Sequence, residues 1–253
     1  MTVAVGLVHA ATAAAYLFLF VVAVGEVRSA RRVTPFGAAL TLMFLGCGMH
    51  HAVHAEHALI FGRAGSPLVL AGLLVAAVPS AIFLALRLEA MRGGRGDRFL
   101  GGTPAWLALA PTALGAFAGI LVLAALAEGP SPVTDVPGLA SNLVLLATYS
   151  AVGWWLVRAQ VARRPLRGGW SLSGVSLAAI FPSCGLAHVI NALTAPGDVH
   201  TLLVDGYQIP VSLFFLWTVR RLYRRGRALA NRRPVVGRAT PAARQSPWAL
   251  SAR

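Results

Sequence analysis

"FLGCGMHHAVHAEH", residues 44–57, sets one cysteine and four histidines within fourteen residues of an otherwise apolar segment. Sliding the chain against itself by 137 residues lays this stretch on "FPSCGLAHVINALT", residues 181–194. Phe44 then meets Phe181, Cys47 meets Cys184, Gly48 meets Gly185, His51 meets His188 and Ala55 meets Ala192, with Gly37 on Gly174 upstream. A slightly smaller offset superposes Tyr16 on Tyr149 and His9 on Asn142, and further along Pro79 falls on Pro210 and Phe83 on Phe214. Three consecutive apolar segments are therefore duplicated, and each copy carries a Cys-x-x-x-His pair.

The rest of the composition says what kind of molecule holds this repeat. Of 253 residues 57% are hydrophobic and 12% charged, and the mean hydropathy is +0.70, too apolar for an ordinary soluble domain. Seven runs of about 20 apolar residues, at about 3–25, 36–59, 67–88, 104–127, 139–160, 171–194 and 202–222, are each long enough to cross the roughly 30 Å hydrocarbon layer as a helix. Helices satisfy their own backbone, as lipid demands. The expected fold is all-α, a polytopic bundle of seven transmembrane helices in a parallel 3+1+3 repeat. Residues 1–90 form the first three-helix repeat, 91–138 a connector with the fourth helix, 139–225 the second repeat and 226–253 a disordered basic tail.

The formal net charge of +14 comes from arginine, since the chain has no lysine. Arg28, Arg31 and Arg32 follow the first span, Arg87, Arg92, Arg95 and Arg98 the third, and Arg158, Arg163, Arg164 and Arg167 the fifth, with a basic tail from Arg220 onward. The alternate loops hold Arg63, then Glu128 and Asp135, then Asp198 and Asp205. Positive charge retained on one side orients the N-terminus outside and the C-terminus in the cytoplasm, in a membrane of the bacterial cytoplasmic type. The same distribution speaks for topology and contact with membrane lipid, and against nucleic-acid binding. The first run lacks a basic leader and a cleavage site and reads as a retained helix. Trp154, Trp155, Trp170 and Trp217, near span ends, read as interfacial anchors.

Cys and His four apart share a helix face with Cβ atoms about 5–6 Å apart, close enough to bind one ion together. Thiolate plus imidazole suits Cu(I) or Zn(II), and burial in lipid favours the ion of lower charge. Copper as Cu(I) is the first choice, with Cys47, His51, Cys184 and His188 as ligands. The alternative is structural: the cysteines pack as small residues beside Gly48 and Gly185, and the histidines hydrogen-bond across helices. His50, His54 and His57 continue a stripe from the Cys47–His51 face outward and could hand ions inward. His9 lies deep in the first span on the face of Tyr16, and is expected to line the site.

"SNLVLLATYS" (141–150) and "CGLAHVINALT" (184–194) together make residues 139–222 resemble the three-helix ethylene-binding domain of ethylene receptors and their bacterial relatives. The resemblance implies that Cys184 and His188 coordinate Cu(I), that Tyr149 walls the site, and that Asn142 and Asn191 line it. Asn142 stands where that family carries an acid, and the family's lysine in the third helix has no counterpart, Gln208 being the nearest polar residue. The first half is similar through His9, Tyr16, Cys47 and His51.

A metal-binding membrane protein that senses or binds a small gaseous or unsaturated ligand is the leading expectation, with a separate cytoplasmic signalling partner. Copper transport or delivery is the alternative, and a haem protein with His51 and His188 as axial ligands a further one. Retinal photochemistry is excluded because a Schiff base needs a lysine. Without paired carboxylates in the spans an enzyme is not expected.

Overall fold

The computed structural model describes residues 1–29, 33–63, 66–127, 136–194 and 198–232. Within them lie seven helices: α1 (Thr2–Ser29), α2 (Pro35–Leu59), α3 (Pro67–Met91), α4 (Ala105–Ala127), α5 (Val136–Arg167), α6 (Leu172–Thr194) and α7 (Val199–Arg232). All seven are long and apolar enough to cross a membrane, as the seven apolar runs predict. Helix starts follow local chemistry. Thr34 and Ser66 each precede a proline at the first helical position and accept from a backbone N–H three residues on, the arrangement that satisfies a free amide at a helix N-terminus. Helices α5 and α7 overrun their apolar runs at the arginine-bearing end, and α7 continues to Arg232 through the first residues of the expected tail. Arg31, Arg32, Glu128, Asp135 and residues 233–253 lie outside the described residues.

The helices are not arranged in chain order. Following the packed neighbours gives a closed ring α1–α2–α7–α5–α6–α3, back to α1, with α4 outside it against α6 and α3. Inside the ring runs a core that includes Tyr16, Phe44, Leu145, Tyr149, Phe181 and Phe215. Lipid is as apolar as these side chains, so the ring is held by close packing and interhelical hydrogen bonds more than by exclusion of water. The glycines next to the two cysteines permit close approach of neighbouring helices. A Cβ on Gly48 would meet Leu17 of α1 at 2.8 Å, and one on Gly185 would meet the Leu146 Cα of α5 at 3.0 Å.

Gly153 is held by backbone as well, because its virtual Cβ falls 2.9 Å from both the Ala178 carbonyl oxygen and the Pro182 ring. Backbone cannot step aside as a flexible side chain can. Gly153→Ala is expected to destabilise the protein by about 1–3 kcal/mol, read as a lowered melting temperature in detergent. The same change at Gly119, where nothing lies within 4 Å, is the control and is expected to be neutral or slightly stabilising.

At the arginine-bearing end, aromatic rings carry the cations. Arg158 lies 5.8, 5.6 and 5.5 Å from the rings of Trp154, Trp155 and Tyr223, and Arg221 lies 4.9 Å from Trp217, within the range of cation–π attraction. The loop after α3 is tied there to the start of α6 by a two-residue antiparallel ladder, β1 (Phe99–Leu100) with β2 (Trp170–Ser171). Asp97 completes the clip. Its carboxylate accepts from the Ser173 backbone N–H at 2.9 Å and from the Ser171 hydroxyl at 2.6 Å, while Ser171 Oγ accepts from the Gly174 N–H.

Partial burial pushes the Asp97 carboxyl upward, but the hydrogen bonds from Ser171, Ser173 and the Arg98 N–H outweigh it and hold the group below its ordinary range. A carboxylate held low stabilises the fold above its unfolded value, and that contribution is lost as pH falls through the folded value. Asp97→Ala is therefore expected to cost about 1 kcal/mol at neutral pH, and the gap between variant and parent should close as unfolding is followed down through the carboxylate range.

Candidate metal centre

Helix α2 delivers four histidines and a cysteine along one side of the ring, and the other helices decide what each of them meets. Cys47, His50, His51 and His57 are buried, His54 is half-buried, and His9, Tyr16, Asn142, Tyr149, Cys184, His188 and Asn191 are all buried as well. Side chains of this polarity cannot face lipid without partners. The ring supplies partners in successive levels.

The innermost level holds the thiols. Cys47 of α2 and Cys184 of α6 belong to the same buried core inside the ring, and both are free. Two tyrosines cross between the halves: Tyr16 Oη lies 3.1 Å from Cys184 Sγ and 2.8 Å from Ser80 Oγ, and Tyr149 Oη lies 3.9 Å from Cys47 Sγ while donating to Gln208 Oε1. Each half thus contributes the tyrosine that covers the other half's thiol. Gln208 Nε2, also buried, donates to no acceptor among the described residues.

One turn outward stand the imidazoles. His9 Nδ1 and His51 Nδ1 are 3.0 Å apart, one N–H donating to the other ring, and the His51 ring stacks on Tyr16 at 5.7 Å. In the second half His188 Nδ1 pairs with Asn142 Oδ1 at 2.9 Å, and the His188 ring meets Tyr149 edge-on at 5.8 Å. His50 Nδ1 lies 3.1 Å from Asp205 Oδ1, and Asn142 Nδ2 donates to Asp205 Oδ2 at 2.9 Å. The rings of His50 and His188 are 3.9 Å apart.

These bonds fix the chemistry of the rings. A His50 Nδ1–H donating to the carboxylate and a His188 Nδ1–H donating to the amide oxygen leave Nε2 of both rings as lone-pair donors. A carboxylate behind an imidazole is the arrangement that orients and strengthens a metal-binding ring.

Asp205 corrects the sequence reading, which places it in an outer loop. Helix α7 begins at Val199, and Asp198 holds its first turn by accepting from the Thr201 N–H. Asp205 is therefore well inside the helix, only 3% exposed, between His50 and Asn142. An acid in the middle of the ring is stable there because imidazole and amide donors surround it. The available signal is the position of Asp205 inside the apolar run 202–222, together with an amide at Asn142 where the resemblance calls for an acid.

Further out, His54 stacks on His9 at 5.0 Å and meets His50 at 4.5 Å, so the expected stripe is continuous. His57 Nε2 lies 2.9 Å from Asp198 Oδ2, and the His200 ring is 6.4 Å from that of His57. Asn191 is one turn beyond His188, its amide nitrogen without an acceptor among the described residues.

Among the described residues, two groups of three potential ligands have donor atoms within 4.8 Å of one another: His50, His188 and Asp205, and His57, Asp198 and His200. Neither includes a cysteine. The thiols form a level of their own, next to the first group. The chain matches no protein-family model, no curated protein and no solved structure.

Proposed function

We propose that this protein is an integral membrane metal-binding protein, holding copper as Cu(I) in the middle of the helix ring and using it to bind or sense a small gaseous or unsaturated ligand. The observation that carries the reading is the matched pairing of the two halves around the thiols. Tyr16 reaches Cys184 while Tyr149 faces Cys47, and His9 with His51 is answered by Asn142 with His188.

Cys184 with His188 and Cys47 with His51 would hold the ion. Their donor set fits a soft, low-charge ion: two buried thiols, and imidazoles whose Nδ1 atoms are already engaged. Bound there, copper supplies an electron-rich centre for a molecule with a free π system. Asn142, itself held by Asp205, keeps the His188 ring oriented, Asp205 does the same for His50, Tyr16 and Tyr149 cover the thiols, and Gln208 keeps a donor on the wall of the site. The surrounding aromatic core excludes water. Binding, rather than bond-breaking, is what this arrangement serves.

The reading includes a parallel duplication. Exchanging α1 with α5, α2 with α6 and α3 with α7 leaves the ring order unchanged, which supports a two-fold relation along the membrane normal. It also includes an outside N-terminus, supported by arginines gathered at the end opposite His57, and so a separate cytoplasmic partner at that end. The resemblance of residues 139–222 to ethylene-binding domains supports copper as the metal.

The test is metal analysis of the intact protein purified in detergent under reducing conditions, with a visible spectrum to detect haem. Copper is expected at one or two equivalents, without a Soret band. A preparation competent to fold that retains no copper after loading would end the proposal.

A further inference from the structure

The buried levels leave one cluster without a role. At the end of the ring nearest His57, Asp198 accepts from Arg63 Nη1 at 2.6 Å and lies 2.9 Å from His57 Nε2 through the same oxygen, Oδ2. Its other oxygen accepts from the Thr201 N–H at 3.0 Å, which fixes the carboxylate against the first turn of α7. His200, exposed in that first turn, brings a second imidazole, and donor atoms of all three residues fall within 4.8 Å of one another. Two imidazoles and a carboxylate suit a borderline divalent ion better than Cu(I).

Two segments far apart in sequence converge to make the cluster, the C-terminal turn of α2 and the start of α7 with the residue before it, so it is a product of the fold and not of local sequence. Arg63 sets it apart from a permanent ion pair. Its side chain is about half exposed, 49%, against 20% for Asp198, and it can leave for solvent when a stronger cation arrives. Asp198 itself is ready for one. The Thr201 N–H and Arg63 both donate to its carboxylate, and the His57 ring lies against it.

The cluster is also connected inward. The His57 ring is 6.2 Å from His54, and His54 is 4.5 Å from His50, whose ring touches His188 at 3.9 Å. Beyond this path the ring closes over its imidazoles, since His9, His50, His51 and His188 are each 3% exposed or less.

We propose that His57, Asp198 and His200 form a second metal site, for a divalent ion of the Zn(II) or Cu(II) class, which Arg63 occupies in the metal-free state; Cu(II) captured there is reduced to Cu(I) by a soluble thiol, two thiols giving one disulfide for two copper ions, and loads the buried centre by way of His54. The loading half rests on the buried centre proposed above; capture at the surface does not.

The experiment uses the full chain in detergent. Zn(II) is titrated by calorimetry into the parent, into His57→Ala/His200→Ala and into Arg63→Gln. The double variant is expected to lose one binding event or to weaken it at least about tenfold, as loss of two of three ligands demands. Removing the competing guanidinium is expected to tighten the same event about three- to tenfold, the worth of one unit charge against a divalent ion at a solvated site. A misfolded variant could imitate the first result but not the second. Unchanged zinc binding in the double variant, or no tightening in Arg63→Gln, overturns the site.

Copper uptake, followed with the thiol reductant present, then separates the two halves. The double variant should reach the parent's copper content at the buried centre, several times more slowly. Equal filling rates overturn loading alone, while a parent that holds zinc at the surface but never retains copper refutes the buried centre and leaves capture standing.

Discussion

Asp205→Ala is expected to cost the folded protein about 3–5 kcal/mol, the usual consequence of removing one member of a buried, hydrogen-bonded charge cluster. The carboxylate is 3% exposed and is the acceptor for both His50 and the Asn142 amide. Its loss strands two buried donors, each of which costs about 1–3 kcal/mol when left unmade. A second contact, His188 Nδ1 at 3.5 Å, is too long to count as a full hydrogen bond and is expected to add little. Thermal unfolding in detergent without metal measures the effect.

Asp205→Asn separates architecture from metal chemistry. It keeps the shape and an oxygen for His50, so the fold should survive with a smaller loss. The charge behind the imidazole is gone, however, and changes of that kind lower metal affinity by about 10–100-fold. Copper competition against a chelator of known strength reads this directly. If Asp205→Asn folds and binds copper as tightly as the parent, the acid is a structural group and has no part in the centre.

The second large effect is expected from the thiols. Cys47→Ser/Cys184→Ser should reduce copper to background, since hydroxyls are poor ligands for a soft ion. The change is conservative for the fold: a serine hydroxyl at either position can still pair with Tyr16 or Tyr149, which now face the thiols. Stability without metal should therefore fall by only about 1 kcal/mol. Copper at a hundredfold excess over its dissociation constant should stabilise the parent by about 2.7 kcal/mol and leave the double variant unmoved.

The single variants add the stoichiometry. Cys184→Ser alone abolishes binding if both thiols serve one ion, and halves it if each half holds its own. Copper retained in full by the double variant would sink the thiol ligation and leave the imidazole–carboxylate group as the metal site.

Much of the molecule is legible in the order of its residues. Every one of the seven apolar runs is a helix, and the two Cys-x-x-x-His pairs, with His9, Tyr16, Asn142 and Tyr149, are all buried. Hidden from a linear reading is the second contributor to each contact. Spacing pairs His51 with Cys47, yet the hydrogen bond of His51 goes to His9. Asp205 reads as a loop residue because it is an acid near the start of its apolar run, yet α7 begins before it, at Val199. Asp198 and His200 lie close in sequence, but nothing in their spacing indicates His57.

The sequence by itself determined the number of helices and the set of polar side chains that must turn inward, because a bilayer admits only self-satisfied backbone and does not tolerate unpaired imidazole or carboxylate. Only the tertiary structure decided which of those groups meet. Helical spacing relates neighbours on one helix and is silent about the next, whereas the order of the ring is set by packing at small residues such as Gly48, Gly153 and Gly185. That order inserts α7 between α2 and α5, and so brings Asp205 to His50 and Asn142.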